Sequence, residues 1–207
     1  MHNYATDMGW LPVPIIAKRK WPKLKHGETR ATTRAEHELI LAGEKTPERR
    51  DYYDLCWYTG GSQGDIAALE GANVDAEKGT IHYKRRKTAV EVMQRQGKMV
   101  KAILERRPKS GPLFPNLIKM RASDRATEFK RLCRRVGVSG ITLHSYRYAW
   151  AERAAENGFE ERYAQAALGH NSKAVARAYA RHAKTLIPAL EEYEEKNRVK
   201  SATAVKV

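Results

Sequence analysis

Thr33-Arg-Ala-Glu36 reads as a capping box, and apolar positions then recur at helical spacing through "HELILAG", so a short helix is expected up to Gly43. Thr46-Pro47 opens a second helix with proline at its first turn. That helix carries Leu55, Cys56 and Trp57 and ends at Gly60-Gly61, and a third is expected over Ser62–Leu69. The pattern changes in "TIHYKRRKTAVEVMQ", which is rich in Ile, Tyr, Thr and Val and alternates in part. Two short strands joined by a tight turn fit it, with basic residues at the centre. Beyond it, the spacing predicts helices at about 97–107, 123–136, 144–157, 159–168, 172–182 and 185–197, with "KSGPLFPN" as a loop. Residues 1–30 hold Pro12, Pro14, Pro22 and a basic run without a clean period, and read as an arm or linker. There is no internal repeat. The expected fold is mainly α with a small antiparallel β-sheet (α+β): an arm over 1–30, a domain over 31–184 and a tail over 185–207.

Charge narrows the partners. The 207 residues hold 39 Lys or Arg against 24 Asp or Glu, a formal charge of +15. Such an excess points to nucleic acid. It is uneven: Lys18–Arg34 has seven basic residues against Glu28, and His82–Lys109 has ten against Glu91 and Glu105. The tail "ALEEYEEKN" is acidic. No apolar run nears the roughly 20 residues that span a bilayer, so no membrane partner is expected. Basic residues follow the apolar part of the N-terminus, the reverse of a secretory signal. Cys56 and Cys133 lie in apolar or helical surroundings with no metal-ligand spacing, and read as buried thiols in a reducing cytoplasm.

Candidate chemistry sits near the C-terminus. In "ITLHSYRYAWAERAA", His144 and Arg147 are three apart and share a helix face. A guanidinium fork suits phosphate oxygens, and an imidazole beside it can move a proton near neutral pH. Taken alone, such a pair is more often solvated surface. In "ALGHNSKAVARAYARHA", His170 follows Leu168-Gly169 at a helix end, and Tyr179 comes nine residues later. A lone tyrosine there reads first as a packed aromatic.

In series these pieces resemble the catalytic domain of the tyrosine recombinases, the phage integrase family. The order and spacing of His144, Arg147, His170 and Tyr179 match that family. "YTGGSQGDIAAL" resembles its TGxRxxE/DxxxL segment, "IHYKRRKT" its β-hairpin ending in Lys-Thr, and "GPLFP" the loop before the HxxR helix. The resemblance covers about residues 30–185. It implies site-specific cutting and rejoining of double-stranded DNA without metal or cofactor, through a 3′-phosphotyrosyl intermediate. By resemblance Tyr179 is the nucleophile, Arg147 clamps the phosphate and His144 assists proton transfer. His170 donates to the phosphate, Lys87 protonates the leaving oxygen, and Asp65 supports the arrangement. Lys84, Arg85 and Arg86 are expected to meet DNA. The resemblance also implies a monomer alone and a tetramer on DNA. The tail "TLIPALEEYEEKNRVK" has amphipathic spacing and would pack either on its own core or on a neighbouring subunit. An N-terminal helical domain that clamps the far side of DNA is usual in the family and has no counterpart in this sequence.

One position departs from the pattern. The family's first arginine falls on Ser62, a short neutral residue. Ser62-Gln-Gly-Asp65 is itself a capping box, so the change leaves a well-ended helix while removing a transition-state donor. Three outcomes stay open: Arg85, Arg86 or another arginine replaces the clamp, the protein cuts slowly, or it is a catalytically inactive DNA-binding module on the same fold.

Overall fold

The computed structural model describes residues 2–12, 29–170 and 172–183. The tail helix expected over 185–197 lies outside these residues, as does most of the arm. Within the arm, His2–Asp7 forms a short helix, α1, where no period was legible.

Helix α2 (Arg34–Gly43) begins at the expected capping box. Glu36 N donates to the Thr33 hydroxyl at 3.2 Å, and Thr33 N donates to Glu36 Oε2 at 2.9 Å. Arg30 grips the same carboxylate and holds Glu36 down at about 2. Helix α3 (Pro47–Thr59) follows, with buried side chains over most of its circumference: Asp51, Tyr52, Tyr53, Leu55, Cys56, Trp57 and Thr59. It is the central helix and packs against α2, against α4 (Gln63–Ala67), and against α5 (Lys98–Glu105) and α7 (Ser145–Glu156). Gly60 ends it at φ +66°, and a Cβ there would lie 2.8 Å from the Trp150 ring, so glycine is required twice over.

Helix α4 is shorter than the expected Ser62–Leu69 because Leu69 to Gly71 leave the helix to pair with the GPLFP loop. Leu113 N donates to Leu69 O and Gly71 N to Gly111 O, both at 2.8 Å. The capping box at its start is also only half formed. Ser62 Oγ accepts from Asp65 N, but the Asp65 carboxylate bonds the Ser62 hydroxyl, Arg85 and Arg86 N rather than the Ser62 backbone.

The sheet has three antiparallel strands rather than two: β1 (Val74–Asp75), β2 (Thr80–Lys84) and β3 (Glu91–Arg95), in that order. Ile81, Tyr83 and Val92 point inward, whereas His82, Lys84 and Met93 point to solvent. The expected tight turn is a longer loop over 86–89, closed by Arg85 N donating to Val90 O at 2.8 Å. A two-residue turn needs glycine or asparagine at positive φ, which "RRKTAV" lacks, and here Ala89 takes φ +55° within the wider loop.

Helix α6 (Ala122–Arg135) covers α2, and α8 (Glu161–Leu168) and α9 (Lys173–Tyr179) pack on each other and on α7. Cys56 and Cys133 are buried and unpaired in the main core. A smaller second core of Trp150, Ala151, Ala167 and Leu168 seats α8 and α9, with Tyr179 packed against it. Among the described residues no helix is long and apolar enough to cross a membrane.

Candidate active site

The start of α7 is the platform. His144 is its N-cap residue and Arg147 lies in its first turn. Arg147 is only 2% exposed. It donates to Gly60 O at 2.7 Å, to Leu168 O at 2.8 Å and to His170 Nε2 at 3.1 Å. One guanidinium thus joins the end of α3 to the end of α8. Burial, and then the charge of Arg85, lower its pKa from the ordinary value.

Helix α8 stops at Gly169 with φ +57°. The turn directs Leu168 O inward and places His170 against Arg147. A Cβ on Gly169 would overlap the Cδ of Arg85, so the backbone passes Arg85 closely. Because Arg147 donates to His170 Nε2, the neutral ring carries its proton on Nδ1. That nitrogen is buried and has no partner among the described residues.

Tyr179 is the last residue of α9. Its hydroxyl lies 2.8 Å from His144 Nε2. Its ring stacks on Tyr148 at 4.5 Å between centroids, sits 4.7 Å from the His170 ring, and has the Arg147 guanidinium 5.4 Å from its centroid. Partial burial, and then Arg147, Arg85 and Lys87, push His144 down to about 4. Burial, Arg147, Arg85 and His144 push His170 down to about 4 as well. Both imidazoles are therefore neutral at pH 7, and His144 accepts from the Tyr179 hydroxyl.

The β2–β3 loop supplies the other wall. Lys87 is exposed at the mouth of a cavity of about 230 Å³, which Arg85, Arg147, His170 and Tyr179 also line. Thr88 Oγ1 donates to Gly169 O at 3.3 Å and ties the loop to α8. Lys84 and Arg86 are exposed and point away from the cavity.

Arg85 does not stand with them. It is 7% exposed, and its Nε donates to Asp65 Oδ2 at 3.0 Å. Its Nη1 donates to Leu168 O, the oxygen that Arg147 also uses. Its position continues the inward parity of Ile81 and Tyr83, a signal the strand alternation carried. Asp65, 5% exposed, is thereby fully engaged. Its Oδ2 takes Arg85 and the Ser62 hydroxyl (2.7 Å), and its Oδ1 takes Arg86 N at 3.2 Å. That is why the capping box is incomplete.

All the residues singled out by sequence, except the outward Lys84 and Arg86, meet around this cavity or hold its wall. Sequence reasoning missed Tyr148, which braces Tyr179. Its spacing of four from His144 puts the two on one helix face. It also missed the Leu168 carbonyl, which no side-chain pattern announces.

The profile of the phage integrase family matches residues 32–185, most of the chain. The chain belongs to that family. No curated protein sequence matches it significantly. Among solved structures, a lambda integrase dimer bound to a COC′ core site superposes with a TM-score of 0.73 at 19% identity, covering 91% of this chain and 58% of that one. XerA recombinase gives 0.63 at 19% identity over 86% and 67% of the two chains. The catalytic domain of bacteriophage HP1 integrase gives 0.64 at 19% identity over 82% and 95%. The fold, mostly helical with a three-stranded antiparallel sheet, is that of the tyrosine recombinase catalytic domain. The chain spans little more than half of the lambda integrase chain.

Proposed function

We propose that the protein is a site-specific DNA recombinase or integrase that cuts and rejoins double-stranded DNA through a 3′-phosphotyrosyl link at Tyr179. The observation that carries this reading is the 2.8 Å hydrogen bond between the Tyr179 hydroxyl and His144 Nε2, at the edge of a cavity lined by Arg85, Arg147 and Lys87. Tyr179 attacks the scissile phosphorus and gives its proton to His144. The bond to the 5′-oxygen breaks, and Lys87 supplies the proton that the leaving oxygen takes up. Arg147 and His170 stabilise charge on the non-bridging oxygens. The bound phosphodiester offsets the cations that depress His144, which raises its basicity as the substrate arrives. The reverse attack by a 5′-hydroxyl of a partner strand completes exchange without an external energy source. Tetramer formation on DNA belongs to the same reading, as does a cytoplasmic location.

Ser62 favours a second reading, a DNA-binding module that no longer cuts. Incubation with a nicked suicide substrate bearing the attachment site, found in DNA that flanks the gene, separates the two. A covalent band on a denaturing gel that is lost in Tyr179→Phe supports the enzyme. A native-gel shift with no covalent band supports the binding module.

A further inference from the structure

Two buried guanidinium groups converge on one neutral oxygen. Arg85 and Arg147 both donate to Leu168 O, and burial together with the charge of Arg85 lowers the pKa of Arg147. Among the described residues, Asp65 is the one carboxylate bonded to either of them. The pair therefore carries one more positive charge than its buried surroundings neutralise, and Lys87 stands beside it. A desolvated excess of cation is costly unless an anion completes it. Two donors remain for one: Arg147 Nε is buried without a partner, and Arg85 Nη2 has none among the described residues. The cavity they line opens onto Tyr179.

Ser62 marks what is unusual. Its hydroxyl and Arg85 Nε bond the same oxygen, Asp65 Oδ2, at 2.7 and 3.0 Å. A cation is thus already seated on the carboxylate next to Ser62, delivered from the end of β2 rather than from the start of α4. Gly169 is what lets it in, since any Cβ there would overlap the Arg85 stem.

We propose that Arg85 is the second guanidinium on the scissile phosphate, filling the role that Ser62 cannot. Asp65 then positions Arg85, and Ser62 serves as a helix cap and a small neighbour that leaves the site open. The inference rests on the recombinase reading above, but it is testable apart from it.

Arg85→Gln keeps the Cγ and Cδ that pack on Gly169 and removes the charge. Its rate of covalent-complex formation should fall by about 10²–10³, the usual loss for one preorganised donor. Ser62→Arg alone should change the rate by less than about tenfold, because the place is filled. The double variant Ser62→Arg, Arg85→Gln should recover most of the loss, which a purely structural Arg85 would not allow. Arg85→Lys keeps the pairing with Asp65 but not the fork, and serves if Arg85→Gln melts early. It should also lose at least about tenfold in rate.

A second readout needs no cleavage: binding to nicked duplex that carries a 3′-phosphate or a 3′-hydroxyl at the nick. The wild type should prefer the phosphate, and Arg85→Gln should lose that preference. If the wild type forms no adduct yet shows this Arg85-dependent preference, the recombinase reading falls and the Arg85 assignment stands. If folded Arg85→Gln cuts at the wild-type rate or keeps the phosphate preference, or if Ser62→Arg outpaces the wild type a hundredfold, the assignment is overturned.

Discussion

Gly169→Ala tests whether the backbone and Arg85 are as tightly coupled as the geometry requires. At φ +57° a non-glycine residue costs roughly 1–2 kcal/mol from the backbone alone. The added Cβ would also overlap Arg85 Cδ and lie 3.0 Å from its Cγ. Arg85 must withdraw, which breaks its bond to Leu168 O and strains the 3.0 Å bond to Asp65. Removing one partner of a buried ion pair costs about 3–5 kcal/mol, and a displaced partner loses part of that. The sum should be about 3 kcal/mol or more. Gly158, at φ +67° with nothing within 4 Å of a Cβ, is the control. Gly158→Ala should cost only about 1 kcal/mol. Urea unfolding followed by circular dichroism gives both numbers. In an Arg85→Ala background the Gly169→Ala penalty should fall to about that of Gly158→Ala, because the colliding stem is gone. Equal costs at 169 and 158, or a Gly169→Ala cost that ignores Arg85, would refute the reasoning.

Other outcomes follow from the same geometry. Ser62→Ala removes the α4 cap, so it should destabilise by about 1 kcal/mol, and a neutral result in urea unfolding would remove Ser62 from the capping role. His144 and His170 titrate near 4 in the folded state and near 6.5 when unfolded, so the unfolded state binds more protons between these values. Their contribution to stability is complete above about pH 6.5 and is lost as pH falls toward 4, and a His144→Gln, His170→Gln variant should lose that slope. Two-dimensional NMR should place both midpoints well below 6.5 in the free protein, and DNA should raise them; midpoints at the ordinary value would contradict the cationic cluster. With a charge of +15, affinity for DNA should fall more than about tenfold between low and physiological salt, and flat dependence would count against DNA as the ligand.

Much of this was legible in local chemistry. The Thr33–Glu36 box, Pro47 and Gly60 set helix ends through contacts within a few residues, and the structure keeps them. The spacing of His144, Arg147, His170 and Tyr179 survives because α7, α8 and α9 meet at the Leu168–His170 turn. What escaped depends on distant partners. Two residues, Val74 and Asp75, are too few to show a period, and they become a strand only by pairing with β2. Helix α4 stops early because Leu69 is claimed by Leu113, 44 positions on. Arg85 lies in a basic run that reads as surface, and only its parity with Ile81 and Tyr83 marks it as inward. Asp65 abandons half a capping box for the same distant guanidinium.

The measurement that bears most directly on the central claim is the site of covalent attachment. After reaction with the nicked substrate, proteolysis and mass spectrometry should find one nucleotide-bearing peptide, linked through Tyr179 to a 3′-phosphate. Attachment at another residue, linkage through a 5′-phosphate, or an adduct that persists in Tyr179→Phe would contradict the account.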